Sequence, residues 1–352
     1  MNYWWLSIQL VSSSRPREYR IQIVILMYSR GMRILVTGGA GFIGSHLCER
    51  LVNEGHNVTA IDNFSTGHAS NLGRLKDVDA FKFIKGSILD TRILNPLINE
   101  SDYIFHLAAA VGVFNIVKNP LESLLTNIRG TENVLECAFA TKTPVFLTSS
   151  SEVYGKNFSD SLKESDDRIL GSPVTLRWSY SEAKAIDESL AYAYFVEKQL
   201  ETRIVRFFNT VGPRQLGAYG MVVPRFVKSA LSNEPITIYG DGNQTRCFAH
   251  VFDVIDAVFA LAFADNTVGK VINIGNDYEI SINDLAKKII NETGSKSEIV
   301  YVPYSEAYGD GFEDMERRVP NIDLINQLVG WKPQRDLSMI ISDISDEMKK
   351  HS

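Results

Sequence analysis

Cysteine is scarce in this 352-residue chain: Cys48, Cys137 and Cys247 lie far apart, and none belongs to a CxxC pair or has a histidine-rich partner. A disulfide framework and a structural zinc site are excluded on that count, no metal is expected, and the usage fits a reducing cytoplasm. Positive charge is not in surplus either, since 36 lysines and arginines face 42 aspartates and glutamates for a net charge of −6. That balance speaks against a nucleic-acid or acidic-membrane binder and leaves polyanion recognition to a local pocket. Long apolar runs are also missing. Met1 to Val11 is largely apolar but has no basic segment and no small-residue cleavage site, and Ile21 to Tyr28 is too short to span a bilayer. There is no internal repeat or low-complexity tract. What is there is ordinary for a globular protein, 45% hydrophobic and 22% charged, with enough chain for two domains or one large α/β unit.

From residue 32 to about 148, short β-branched runs alternate with helix-length periodic segments, the pattern of a parallel sheet covered by helices on both faces. Strands are expected at Arg33 to Thr37, Asn57 to Ile61, Phe81 to Lys85, Tyr103 to His106, Val145 to Thr148 and Arg203 to Phe207. Helices are expected at Ile43 to Glu54, Pro120 to Ala140 and Tyr180 to Lys198. After Asn209-Thr-Val-Gly-Pro-Arg214 the pattern loosens into a smaller lobe, with a helix near Val223 to Leu231, a strand at Thr237 to Tyr239 and a turn at Gly240 to Asn243. The division that follows is an extension over residues 1–31, a nucleotide-binding domain over 32–208 and a second lobe over 209–352, with 250–275 returning to the first domain. Met32 opens a natural first strand, so the extension is either a mis-assigned translation start or a real additional arm.

Thr37-Gly-Gly-Ala-Gly-Phe-Ile-Gly44 follows the first strand directly and opens the first helix. Gly38, Gly41 and Gly44 permit a tight turn, close approach of the backbone to a pyrophosphate, and close packing of helix on sheet, while the helix N-terminus attracts the anion. Asp62 ends the second strand about 20 residues on, where a carboxylate accepts both ribose hydroxyls of NAD and repels the extra phosphate of NADP. In Asp62-Asn63-Phe-Ser the same carboxylate is also a natural turn cap. The fold class expected is therefore α/β, a Rossmann-type doubly wound parallel sheet with a smaller C-terminal α/β lobe for substrate, and the cofactor expected is NAD.

Tyr180 and Lys184 stand four residues apart in Trp178-Ser-Tyr-Ser-Glu-Ala-Lys184. On a helix they share a face, where the ammonium lowers the phenol's pKa and makes it a general acid and base. The pair alone is a common feature of a solvated helix face. Its place behind the glycine turn gives it weight.

Together these segments resemble the extended short-chain dehydrogenase/reductase family, in its nucleotide-sugar epimerase, dehydratase and decarboxylase branch. The resemblance covers nearly the whole chain after residue 31. It rests on TGGAGFIG at 37–44, Asp62-Asn63, HLAA at 106–109, SSSEVYG at 149–155, YSEAK at 180–184, FFNTVGPR at 207–214, YGDGNQTRCFAHVFD at 239–253 and RRVP at 317–320. It implies that Tyr180 takes the proton of the sugar's C4 hydroxyl, that Lys184 holds the nicotinamide ribose, and that Ser150 hydrogen-bonds the same sugar oxygen. By the same resemblance Phe42, Ile43, Asn63, Ser87, Ile88, Leu107, Ala108 and Phe208 join the cofactor site, with Ser87 standing where relatives often carry an aspartate against the adenine. Asn209, Arg246 and Arg318 match side chains that grip the diphosphate, a task suited to the planar guanidinium fork. A homodimer is implied through the helices at Pro120 to Ala140 and Tyr180 to Lys198, with Leu190, Ala191, Tyr194 and Phe195 as interface or core.

The reaction after C4 oxidation turns on Glu152, two residues past Ser150. Relatives that dehydrate or decarboxylate carry an acid there, whereas simple epimerases have a small or neutral residue. A carboxylate facing the C5 hydrogen removes it and helps expel the C6 hydroxyl, so dehydration leads, with 4-epimerisation and glucuronate decarboxylation as alternatives. The sequence departs from both acid-bearing groups: Ser151 replaces the first member of the dehydratases' Asp-Glu pair, and Ala108-Ala-Ala-Val-Gly-Val-Phe114 replaces the decarboxylases' proline-rich run. Glu152 as a local turn cap, and a catalytically silent cofactor sensor, complete the alternatives.

Overall fold

The computed structural model describes residues 31–112, 116, 118–217, 221–308 and 315–350. Most of the amino-terminal extension, with Val113 and Phe114 of the alanine-rich run, lies outside the described residues. Strands β1 (Arg33–Thr37), β2 (Asn57–Asp62), β3 (Phe81–Lys85), β4 (Tyr103–His106), β5 (Val145–Ser150) and β6 (Thr202–Phe207) come first, interleaved with helices α1 (Phe42–Asn53), α2 (Thr91–Asn99), α3 (Pro120–Thr141) and α4 (Ser179–Lys198). Next come β7 (Thr210–Val211), α5 (Val222–Leu231), β8 (Ile236–Tyr239), β9 (Thr245–Cys247), β10 (Ala249–His250), α6 (Val251–Ala262) and β11 (Val271–Ile274). They are followed by β12 (Glu279–Ser281), α7 (Ile282–Thr293), β13 (Ile299–Val302), α8 (Asp323–Val329) and α9 (Leu337–Lys350).

Seven strands form one parallel sheet in the order β11-β6-β5-β4-β1-β2-β3. Its central strands are buried without alternation, as in Tyr103-Ile-Phe-His106, because helices cover both faces. On one face α1 and α6 pack over Val36, Phe105 and Val205; on the other α3 and α4 pack over Leu35, Ile104 and Leu147. The chain leaves the sheet after β6 and returns through α6 to β11, whose Val271–Ile274 pairs with Ile204–Phe207. The second lobe has its own core, where α5, α7 and α9 bury Phe226, Leu285 and Ile340 against Ile236 and Ile238 of β8. Its ladders are short pairs, β7 with β10, β8 with β13 and β9 with β12.

The strand order reverses between β1 and β4, and β1 ends in register with β4 at Thr37 and His106. A crevice opens there at the carboxyl ends of the strands, the place where sheets of this kind hold ligands. Among the described residues no helix is long and apolar enough to cross a membrane.

Candidate active site

The crevice is a cleft of about 480 Å³ that runs from the glycine turn past the end of β5 to the second lobe. At one end, Gly38 takes φ +71° and donates its N–H to the Ile61 carbonyl at 2.8 Å; a Cβ on it would sit 2.8 Å from the backbone of Ala108. Gly41 is the N-cap of α1 and leaves that helix end without a side-chain cap. The first N–H groups of α1 are therefore open to an anion brought into the cleft. Asp62 lines the cleft, with Oδ2 accepting from Ala40 N–H at 3.1 Å and Oδ1 from Phe64 N–H at 2.7 Å. Burial pushes its carboxyl above the ordinary value while these backbone donors oppose the shift. An open helix end beside a fixed carboxylate fits the pyrophosphate and ribose of a dinucleotide.

Phe42, Ile43, Gly44, Asn63, Ser87, Ile88, Leu107 and Ala108 all reach the same cleft. Asn63 also accepts from Ser65 N–H, and Ser87 Oγ from Leu89 N–H, so each holds its own turn in shape. Phe208 is the exception. It is fully buried and packs on Tyr154, and Phe207, at the end of β6, is the neighbour that lines the cleft. The expectation is displaced by one residue because β6 extends through Phe207 and the following side chain points into the core cluster of Val153, Leu162 and Ala185.

Tyr180 and Lys184 stand on the first turns of α4, and both line the cleft with Ser150. Lys184 is buried, and its ammonium donates to the Thr148 carbonyl at 3.0 Å and to Asp187 Oδ2 at 3.1 Å. Its charge is thus already answered by Asp187. Burial, then Glu152 and Asp187, push the Tyr180 phenol up, opposed by a hydrogen bond with Ser150. The lowering expected from Lys184 is not what the protein alone supplies. Behind the pair, His106 bridges Thr37 Oγ1 at 2.7 Å and Thr131 Oγ1 at 3.1 Å, tying the end of β1 to α3.

Glu152 follows Ser150 in a short 3-10 turn, where its N–H donates to Ser150 Oγ at 3.2 Å. Its carboxylate is clamped from two directions. Arg177 Nη1 lies 2.6 Å from Oε2 and Nη2 3.2 Å from Oε1, while Arg318 Nη2 lies 2.8 Å from Oε1. Burial works to raise the carboxyl's pKa, but Arg177 and then Arg318 outweigh it and hold Glu152 well below the ordinary range. Arg318 Nη1 also donates to Ser151 Oγ at 3.3 Å. Arg318 is therefore a partner of Glu152 rather than a group held apart for phosphate. Arg246 and Asn209 do face the cleft, held by the Thr245 and Cys247 carbonyls respectively. Arg177 and Asp187 escape a reading of the sequence. The one available signal is the placement of Arg177 three residues before Tyr180.

The profile of the NAD dependent epimerase/dehydratase family matches residues 34–275. The chain belongs to that family. It is 41% identical over 86% of its length, and 92% of the relative's, to UDP-N-acetyl-alpha-D-glucosaminuronate decarboxylase of Bacillus cytotoxicus. To UDP-glucuronic acid decarboxylase 1 of Xenopus tropicalis it is 38% identical, over 86% of this chain and 68% of that one. The fold superposes with a TM-score of 0.83 on UDP-glucuronic acid 4-epimerase from Bacillus cereus in complex with UDP-glucuronic acid and NAD, at 31% identity over 91% of this chain and all (100%) of that chain. A dTDP-glucose 4,6-dehydratase from Streptomyces venezuelae with NAD bound gives 0.82 at 27% identity, over 91% and 97%. The chain is an NAD-dependent enzyme of this family, with the family's Rossmann-type fold.

Proposed function

We propose that the chain decarboxylates a UDP-linked uronic acid. The observation that carries this reading is the state of Glu152, clamped by Arg177 and Arg318 inside the cleft that holds Tyr180. Dehydration needs a base for the C5 proton, and a carboxylate held this far below its ordinary pKa is a weak one. Loss of CO2 needs none, because a uronic acid oxidised at C4 is a β-keto acid whose C5–C6 electron pair flows into the C4 carbonyl. The decarboxylases among the relatives support the same choice.

The turn from Gly38 to Gly44 and Asp62 would hold NAD, which would supply the hydride acceptor and donor for C4. Tyr180 takes and returns the C4 hydroxyl proton, with Ser150 hydrogen-bonded to the same phenol. Lys184, anchored by Thr148 and Asp187, keeps a fixed cation beside it. Arg246 and Asn209 hold the diphosphate on the second-lobe side. A second reading, 4-epimerisation of the same acid, is favoured by the likeness to the Bacillus cereus epimerase and by the absence of any need for a C5 base.

Proton NMR in deuterium oxide tests the proposal, with UDP-glucuronate, UDP-N-acetylglucosaminuronate, UDP-glucose and dTDP-glucose supplied separately. A pentose or its 2-acetamido counterpart, carrying one deuterium at C5, is the expected product. A C4-inverted acid that keeps C6 selects the second reading, and a 4-keto-6-deoxy sugar from a neutral hexose overturns both.

A further inference from the structure

Arg177 lies in the 3-10 turn Leu176–Trp178 that leads directly into α4, so the segment presenting Tyr180 also presents this guanidinium. The residue is 6% exposed, its guanidinium carbon lies 5.3 Å from the Trp178 ring centre, and it meets Glu152 through two N–H groups, one to each carboxylate oxygen. A buried carboxylate needs a counter-charge, and Arg318 already provides one at 2.8 Å. The effect of Arg177 is to occupy both carboxylate oxygens, Oε2 by Nη1 and Oε1 by Nη2, at the point where the reaction branches.

We infer that Arg177 is a positioning residue that decides the fate of the 4-keto sugar, because its two-pronged hold on Glu152 denies that carboxylate the C5 proton and lets the C5–C6 bond break first. The inference rests on the decarboxylase reading of the same cleft. In the favoured branch the C5–C6 bond breaks, its electron pair forms the C4 enolate, C6 leaves as CO2, and C5 takes a proton from solvent. In the suppressed branch the C5–H proton passes to Glu152, the electron pair forms an enolate at the same carbonyl, and C6 stays as the carboxylate. Both branches start from the same C4 oxidation by the family's NAD, so no further oxidant is involved. The groups around Glu152 agree with this assignment: Arg177 and Arg318 pair with it, Ser151 is held by Arg318, and Tyr180 faces the same cleft. The low pKa of Glu152 is the electrostatic expression of the same contacts, with Arg177 the stronger of the two arginines.

The test follows C5 by NMR in deuterium oxide with UDP-glucuronate and UDP-N-acetylglucosaminuronate, using the NAD-loaded full chain, Arg177→Gln, Arg177→Lys and the double variant Arg177→Gln with Glu152→Gln. The wild type is expected to return unreacted acid free of C5 deuterium. Arg177→Gln is expected to decarboxylate roughly 10- to 100-fold more slowly and to return acid that carries C5 deuterium. Arg177→Lys keeps the charge without the fork and falls between the two, and the double variant loses the exchange. A parallel slowing in every Arg177 variant with no C5 exchange overturns the inference and leaves the decarboxylase reading standing. A wild type that decarboxylates neither acid overturns both. Exchange that persists in the double variant shows that Glu152 is not the base, and the inference falls on that result as well.

Discussion

Glu152 is the residue whose surroundings carry the functional argument, and its charge also makes a claim about stability. Its pKa in the fold is below the ordinary value, so its contribution is complete above the unfolded carboxylate value of about 4.3 and is lost as pH falls towards the folded one. Glu152→Gln leaves two buried guanidiniums without their shared counter-charge. We expect it to lower the unfolding free energy by roughly 3 to 5 kcal/mol at neutral pH in urea titrations, with a shallower acid slope than the wild type. An unchanged midpoint would mean that the clamp is open in solution. His106 and His46 act in the same pH direction but higher up. Burial lowers them to about 3 and about 4, respectively. The unfolded chain binds protons first as pH falls below about 6.5, so each costs up to roughly 2 kcal/mol between pH 7 and 5. His106→Gln, which keeps hydrogen-bonding capacity between Thr37 and Thr131, should flatten that loss; the same loss in the variant would remove His106 from the account. Neither effect is legible in the sequence, because Arg177 and Arg318 reach Glu152 only through the fold, and a single histidine in His-Leu-Ala-Ala does not reveal its burial.

At the scale of elements, the turn from β1 into α1 is the most constrained piece of the site. A Cβ on Gly44 would stand 2.1 Å from the Gly38 carbonyl oxygen and 3.0 Å from the Gly39 Cα, and both are backbone atoms that cannot swing aside. Gly44→Ala is expected to cost about 1 to 3 kcal/mol, or roughly 2 to 4 °C of melting temperature per kcal/mol, and to purify with less bound NAD. Full NAD content at an unchanged melting temperature would contradict the packing described. This turn was readable because its chemistry is local: three glycines, a preceding apolar strand and a following periodic helix fall within one stretch. The helix α2 was not, since Pro96 inside Thr91–Asn99 reads as a breaker, and the helix forms because Leu94 and Ile98 are buried against the sheet side. The ladders of the second lobe escape for a different reason. Segments of two to four residues such as β7 and β13 carry no usable period, and their partners lie far away in sequence. Only the helix at Val222–Leu231 and the strand ending at Tyr239 stood out there.

For the whole molecule, α3 and α4 lie side by side over one face of the sheet, and their outer sides carry a few exposed apolar residues. Of the four residues named from the sequence as interface or core, one is fully buried and three are half-buried. Ala191 is fully buried, Leu190 and Tyr194 pack on the core beneath, and the Phe195 ring closes on Gly269. Leu121, Ile186, Tyr192 and Val196 are more exposed than these, because a 3.6-residue period separates an inner from an outer side only once the helix's rotation on the sheet is known. We propose that the outer sides of these two helices join two copies of the chain. Sedimentation equilibrium at micromolar concentration should give a dimer, and Tyr192→Glu with Val196→Glu a folded monomer; a monomeric wild type would remove the proposal. We propose that this molecule uses its cleft to release CO2 from a keto uronic acid. UDP-glucuronate and UDP-N-acetylglucosaminuronate labelled with carbon-13 at C6 test it most directly, with the label followed in the purified enzyme. Appearance of labelled bicarbonate in step with loss of the labelled acid is the predicted result, and retention of the label in the sugar while C4 or C5 changes would contradict it.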